Sequence, residues 1–279
     1  MKVSAKRKIF FLIKLVLGLF ILVFQVYPVF YVITSSFKTA AEQALTPYYL
    51  PHSLYLENYA NVFRVGNIFT YFKNSLIITI SEVALLIVLS SLAAFALTKI
   101  PFKGRQALIT YFTFGLMLPF QVALIPLFFI FNRLGILDTY IAVILPQCAF
   151  SLSYSIHLFR SFYKFMPNDV IESAIIDGCS PIGCFVKIVM PISMNSILTV
   201  ATMQIVFCWN EFICAYTFTK STTMKTVTLG LNDFVGFMGA KDWGATFAMI
   251  TLTVLPTFVF YLFTSKYMLS GLTAGAVKG

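Results

Sequence analysis

The sequence predicts an all-α integral membrane protein with six transmembrane helices. Of its 279 residues 59% are hydrophobic and only 11% are charged, whereas a soluble domain carries about 25% charged residues. Six apolar runs are long enough to cross a bilayer as helices, which takes roughly 20 residues each. These runs are 9–33, 76–97, 107–131, 140–159, 194–215 and 245–263. An even number of crossings places both termini on the same side.

The distribution of basic residues predicts which side that is. The N-terminal side, with loops 98–106 and 160–193 and the C-terminal tail, holds 13 of the 20 Lys and Arg residues. Because cytoplasmic segments are enriched in these residues, we expect both termini in the cytoplasm. The first run is too long for a cleaved signal peptide, so we expect it to remain as a helix. We therefore attribute the net charge of +10 to the basic cytoplasmic segments beside the membrane lipid. No nucleic-acid partner is expected.

The 160–193 loop contains a segment, residues 167–191, that we call the helical loop. Its pattern predicts two short helices. Asn168 or Asp169 is expected to cap the first, Gly178 to end it in a left-handed conformation, and Pro191 to end the second. Apolar residues at helical spacing are expected to share one face of each helix. These residues are Val170, Ile171, Ala174, Ile175, Ile182, Phe185, Val186 and Val189.

The helical loop resembles the EAA loop of permease subunits of bacterial ABC importers. That loop reads Glu-Ala-Ala, three residues, Gly, nine residues, Ile-x-Leu-Pro, and the spacing here agrees throughout. Ser173 replaces the middle Ala and Met190 replaces Leu. The resemblance implies a type I ABC importer transmembrane domain whose loop inserts into an ATPase subunit. The residues it implies for ATPase coupling are Glu172, Ala174, Asp177, Gly178, Ile188 and Pro191. An ordinary amphipathic loop is the alternative.

Further stretches resemble the branch that serves carbohydrate importers similar to the maltose system. They are residues 56–59, 118–128, 209–212 and 271–279. The resemblance implies a second permease subunit, expected to be a different chain, two ATP-binding subunits and an extracellular sugar-binding protein. It implies import of a sugar or oligosaccharide, although importers of glycerol phosphate and polyols share these stretches. The organisation implied is a first helix and external loop (1–70), an importer core (71–267) and a cytoplasmic tail (268–279).

Polar residues in or beside the apolar runs are candidates for the solute pathway. An ionised carboxylate near the bilayer centre costs about 2.5–3.5 kcal/mol on insertion scales, so such groups face the bundle or water. Glu82, Gln121, Asn210 and Glu211 are the candidates, since their oxygens can accept sugar hydroxyl donors. The alternative for Glu82 is a hydrogen bond between helices, and for Glu211 a place at the membrane interface.

The external loop 218–244 is rich in glycine, and Gly236 and Gly239 lie at its expected tip. The resemblance implies that this tip contacts the binding protein; a flexible connector is the alternative.

No enzyme site is predicted, because the sequence has no Gly-x4-Gly-Lys phosphate loop and no metal-ligand pattern. Neither a metal nor another cofactor is expected, and ATP hydrolysis is assigned to partner subunits. Two rival functions remain. An ion-coupled secondary transporter would take up solute without an ATPase, and a membrane scaffold would be dispensable for the uptake of every sugar.

Overall fold

The computed structural model describes residues 5–234 and 242–276, and within these ranges the chain is helical with no β-strand. The α-helices are α1 (Ala5–Ser35), α2 (Ala40–Leu45), α3 (Glu57–Val65), α4 (Ile68–Lys99), α5 (Arg105–Gly115), α6 (Phe120–Leu134), α7 (Tyr140–Lys164), α8 (Asn168–Ile176), α9 (Pro181–Cys184), α10 (Met190–Ile192), α11 (Met194–Trp209), α12 (Ile213–Phe218), α13 (Val227–Gly230) and α14 (Trp243–Ala276). A π-helical turn covers Phe185–Val189, and 3-10 turns cover Thr222–Met224 and Leu231–Asp233.

Four of the described helices are individually long and apolar enough to cross a membrane. They are the segments Phe10–Ser35, Ile68–Lys99, Tyr140–Lys164 and Trp243–Ser265. Two pairs of shorter helices also pass this test together, and counting each pair as one crossing gives six. The predicted fold class, an all-α membrane protein, is therefore confirmed.

The third and fifth predicted spans are each broken into two helices. The third is broken between α5 and α6, whose axes differ by 94°, and the break ends at Pro119. Proline disfavours helical geometry in the residue before it, which accounts for a break here. The fifth is broken between α11 and α12 after Trp209, and a second bend of 78° separates α11 from the segment Pro181–Ile192.

The described chain forms two compact units, and the division falls within α14 after Val254. The first unit contains α1 to α3 and the start of α14. Here Asn58 is buried, and its Nδ2 donates to the carbonyl oxygens of Ser36 and Lys38, both at 2.8 Å. The Lys38 ammonium is buried too and donates to the carbonyl of Pro47 at 2.6 Å. Burial lowers the pKa of Lys38, although nearby Glu42 opposes this.

The second unit contains α4 to α13 and the rest of α14. Its centre is the pair α4 and α7, and α11 packs against both. One end of this unit is an apolar cluster that joins α4 and α7 to the helical loop. Its most buried side chains, with exposed fractions of 5% or less, are Ala94, Phe95, Leu97, Ile156, Phe159, Tyr163, Cys184, Phe185, Val189 and Val200. The helical loop is thus packed into the bundle.

Candidate functional site

A cavity of ≈ 540 Å³ opens in the second unit where the two broken spans meet α7. This volume lies within the range of about 300–1,000 Å³ that is usual for small-molecule sites. The lining residues are Gly115, Leu116, Leu118, Phe120, Gln147, Phe150, Ser151, Tyr154, Gln204, Phe207, Cys208 and Glu211. Aromatic side chains and a few polar groups therefore share one wall, which is the usual composition of a binding site.

Gln204 on α11 holds three helices together beside the cavity. Its Nε2 donates to Glu82 Oε1 on α4 at 2.9 Å and to Ser151 Oγ on α7 at 2.8 Å. Glu82 is completely buried and Gln204 is 4% exposed. The two residues form a bond between helices inside the bundle, and Glu82 lies behind Gln204 rather than on the cavity wall.

Glu211 lies in the break between α11 and α12, and its side chain explains how α12 begins. The Glu211 carboxylate accepts the N–H groups of Cys214 at 2.8 Å and Ala215 at 3.3 Å. These N–H groups have no partner inside their own helix, and a carboxylate is favoured at such an N-terminus. Glu211 therefore caps a helix and lines the cavity at the same time.

The other two candidates for the solute pathway lie elsewhere. Gln121 and Asn210 are exposed and are not among the lining residues, and Asn210 Nδ2 donates to the Val206 carbonyl at 2.8 Å. Instead the structure brings Gln147 and Ser151 to the wall. These residues were missed, although their spacing places them with Tyr154 on one face of a helix.

The helical loop turns at Gly178, as its sequence predicts. The N–H of Cys179 donates to the Ala174 carbonyl at 2.9 Å, and the N–H of Gly178 donates to the Ile175 carbonyl at 3.0 Å. Gly178 has φ +82°. This hydrogen-bond pair and the left-handed glycine form a Schellman motif, which ends α8 and fixes the angle to the next helix. Ser180 then caps α9, since its Oγ accepts the N–H of Gly183 at 3.1 Å.

Two predictions about the ends of these helices are wrong. Pro167 precedes α8 with no side-chain cap, so neither Asn168 nor Asp169 caps it. Pro191 does not end the second helix, because a π-helical turn runs directly into α10, which contains Pro191 and continues to Ile192. The continuous helical segment nevertheless ends one residue after Pro191, and α11 leaves it at an angle of 78°.

The predicted apolar faces are only partly buried. Of the eight apolar residues, Ile171, Ala174, Phe185 and Val189 are buried, and Val170 is half-buried. The other three are exposed, Ile175 by 54%, Ile182 by 72% and Val186 by 56%, and so is Ile176 of α8, by 85%. We call these four exposed residues the outer apolar patch.

The residues implied for ATPase coupling divide between the two faces. Ala174 is buried, and Ile188 is half-buried against the apolar cluster. Glu172, Asp177, Gly178 and Pro191 are all exposed.

The sequence of this chain matches a known protein family. Residues 86–267 match the family model described as "Binding-protein-dependent transport system inner membrane component". The match covers well over half of the chain and includes both the cavity and the helical loop. The chain belongs to this family of permeases.

Individual relatives agree with the family match. The permease is 36% identical to the trehalose/maltose transport system permease protein MalG of Thermococcus litoralis, over 80% of this chain and 81% of that one. It is 32% identical to the arabinooligosaccharides transport system permease protein AraQ of Halalkalibacterium halodurans, over 93% and 94%.

A solved structure has the same fold. It is the crystal structure of a bacterial ABC transporter involved in import of the acidic polysaccharide alginate. The TM-score is 0.83 at 18% identity, and the match covers 96% of this permease and 99% of that chain.

Lys99 connects the helical loop of the permease to α4, and sequence reasoning missed it. Its Nζ donates to the Met166 carbonyl at 2.6 Å and to Asn168 Oδ1 at 2.7 Å. Lys99 is the last residue of α4, and Asn168 is the first of α8. A charged donor with two acceptors is among the stronger hydrogen-bonding arrangements, worth about 1.5–3 kcal/mol per bond. Two hydrogen bonds therefore connect the end of α4 to the start of the helical loop.

Replacing Lys99 by methionine is expected to lower solute uptake several-fold while the protein still inserts, because the loop would no longer be held to α4. Uptake by membrane vesicles and the amount of permease in the membrane measure this. Lys103→Met is the matched control. Lys103 is exposed in the connection between α4 and α5, and the substitution removes the same charge. Equal uptake in the two variants would contradict a connecting role for Lys99.

Gly236 and Gly239, the expected contacts with the binding protein, lie outside the described residues. The end of the tail, residues 277–279, also lies outside them.

Proposed function

We propose that this chain is a permease subunit of an ATP-driven sugar importer, and that its helical loop couples the solute path to a cytoplasmic ATPase. The observation that carries the proposal is the division of the loop into two faces. One face packs among buried residues of α4 and α7. The other exposes the outer apolar patch beside Glu172. Apolar side chains clustered on an exposed surface indicate a protein–protein contact.

The contacts support a transmission role. A force on the outer apolar patch reaches α4 and α7 through the packed side chains of Ala174, Phe185 and Val189, and reaches the end of α4 through Lys99. Packed interfaces pass on displacements because they have little room to deform. In this proposal Glu172 and Asp177 meet cations of the ATPase, and Gly178 allows close approach. Ile188 packs the second helix against the bundle, and the exposed Pro191 is proposed to contact the ATPase.

The assembly that we propose has a second permease, expected to be a different chain, two ATP-binding subunits and an external sugar-binding protein. The cavity in the second unit is open on one side, and the second permease would complete it. Both termini and the helical loop then face the cytoplasm. Gly236 and Gly239 are proposed to contact the binding protein on the external side. Alternating access follows: closure of the ATPase pair rocks the helices and releases the solute inward.

The proposed solute is a sugar or oligosaccharide. Two relatives at least 30% identical are named as transporters of trehalose and maltose and of arabinooligosaccharides. The cavity wall carries oxygen acceptors on Gln147, Gln204 and Glu211, which suit the hydroxyl donors of a sugar. Gln121 and Asn210 remain proposed pathway residues for a state in which the helices have rocked, and Glu82 is proposed to orient Gln204.

Reconstitution tests this function. In proteoliposomes that contain the permease pair and ATPase, sugar uptake is expected to need internal ATP and the external binding protein, and to persist when a protonophore collapses the proton gradient. The sugar is found by growing a deletion strain on single carbohydrates. Uptake that needs a proton gradient but no ATPase would establish a secondary transporter instead. A deletion strain with every sugar uptake intact would establish a scaffold.

A further inference from the structure

Four basic residues lie together where the start of α5 meets the end of α7. His157, Arg160 and Lys164 follow one another on α7 at intervals of three and four residues, so they share one face of that helix. Arg105 is the first residue of α5, and it lies close enough to Arg160 for their two charges to interact. His157 interacts in the same way with Arg160 and Lys164. We call these four residues the basic cluster.

The basic cluster has no anionic partner in the described part of the chain. The one ion pair among the described residues joins Arg64 to Glu57. Arg160 Nε is buried, and no described residue accepts a hydrogen bond from it. Cations held side by side repel one another, and a buried donor without an acceptor is costly. An anion bound between α5 and α7 would remove both penalties.

The two helices are held against each other beside the basic cluster. Thr113 Oγ1 of α5 and His157 Nε2 of α7 are hydrogen-bonded at 3.2 Å. Gly115 lies so close to Ser153 that a Cβ at the glycine would overlap the serine side chain. Gly104, which precedes α5, has no side chain that could cap this helix. The N-terminus of α5 therefore adds its own attraction for an anion to that of the cluster.

The depth of the basic cluster favours a membrane lipid as the source of the anion. Lys164 is the last residue of the α7 span, and the helix rises about 10 Å between His157 and Lys164. The headgroup layer on each side of a bilayer is about 5–8 Å thick. The cluster therefore extends from the membrane surface through the layer in which lipid phosphates lie. A partner protein resting on the surface would reach only its outer end.

Apolar side chains continue from the basic cluster along α5. Arg105 is followed at intervals of three residues by Leu108, Tyr111 and Phe114, and all three are exposed. Apolar side chains on the outside of a membrane helix suit contact with hydrocarbon. A phospholipid offers both parts of the required ligand, a phosphate for the cations and acyl chains for this row.

We propose that the basic cluster binds the phosphate of an anionic phospholipid whose acyl chains lie along α5. None of the four residues lines the cavity, so the site is separate from the solute path and independent of the solute carried. Basic pockets between membrane helices bind such headgroups, and each Lys or Arg strengthens the attraction. The Arg guanidinium groups can each donate two parallel hydrogen bonds to a phosphate. The bound lipid joins the start of α5 to the end of α7.

Lipid titration tests this site. The permease is purified in detergent with the subunits that accompany it, and native lipid is removed. It is then titrated with phosphatidylglycerol or with phosphatidylcholine of the same acyl chains, and native mass spectrometry measures the dissociation constant of the first bound lipid. We expect phosphatidylglycerol to bind at least about 10-fold more tightly, and Arg160→Gln to weaken its binding about fivefold.

Arg7→Gln is the matched control, because it removes the same group from an exposed position on α1. It should change the dissociation constant less than about twofold. Arg105 is exposed, so Arg105→Gln keeps the test valid if Arg160→Gln does not fold, and it should weaken binding to a similar degree. Arg160→Lys keeps the charge and should retain most of the affinity.

Equal affinity for the two lipids would overturn the proposal, and so would equal effects of the substitutions at Arg160, Arg105 and Arg7. Displacement of phosphatidylglycerol by an equal concentration of glycerol 3-phosphate would indicate a site for free phosphate groups and would overturn the lipid assignment. If Arg160→Gln lowers the amount of co-purified ATPase and leaves lipid affinity unchanged, the cluster binds carboxylates of a partner subunit instead. Lipid binding needs neither solute nor ATP, so its failure is distinguishable from failure of the importer function.

Discussion

Replacing Gly178 by aspartate is expected to abolish solute uptake while the protein still inserts into the membrane. Gly178 has φ +82°, and no other atom lies within 4 Å of the position that a Cβ would take. The new side chain therefore fits the permease itself. Aspartate tolerates the left-handed region better than most residues, and the strain is only about 1–2 kcal/mol. We therefore attribute the expected loss of uptake to the added bulk and charge at the proposed ATPase contact.

The Gly135→Asp variant separates the effect of backbone strain from the effect of a changed surface on the helical loop. Gly135 has φ +67° and equally open space around it, and it ends α6 far along the chain from the helical loop. The two variants share the backbone strain and the added charge. Uptake and the amount of ATPase that co-purifies are measured for each. Normal uptake and normal co-purification for Gly178→Asp would mean that the helical loop does not couple the two subunits.

Replacing Gln204 by leucine is expected to destabilise the permease by about 1–3 kcal/mol, because the completely buried Glu82 carboxylate would lose its amide partner. Single hydrogen bonds between membrane helices contribute only about 0.6 kcal/mol on average, so a larger loss would come from the unpaired carboxylate. Thermal unfolding in detergent, monitored by the intrinsic fluorescence of the protein, measures the change in stability.

A double substitution provides the control for this prediction. Adding Glu82→Leu to Gln204→Leu removes both partners, and replacing both by apolar groups is often close to neutral. The double variant should therefore be more stable than Gln204→Leu alone. If the second substitution destabilises the protein further, Glu82 is not held by Gln204. The proposal that Glu82 orients Gln204 is then wrong.

The apolar runs predict the membrane helices well, because roughly 20 consecutive apolar residues have few alternatives to crossing a bilayer. The breaks within those runs were harder to predict. Pro119 accounts for a break in the third span but does not determine its angle of 94°. The break after Trp209 contains no proline or glycine from which it could have been predicted. It depends on the Glu211 side chain receiving N–H groups from the next helix.

The helical loop shows which local features a sequence determines. Gly178 acts through its own backbone, and it takes the predicted left-handed geometry. Which residues are buried depends instead on how the loop packs against α4 and α7, and the π-helical turn at Phe185–Val189 has no clear signal in composition. The cavity wall required the same tertiary information, because Gln147, Ser151 and Gln204 meet only when α7 and α11 pack together.

The two helix breaks lie at the cavity itself. Leu116 and Leu118 line it from the first break and Glu211 from the second. The breaks are short, residues 116–119 and 210–212, so a few backbone dihedrals set the angle between the helices on either side of each. Rotation about either break would therefore change the shape of the cavity wall.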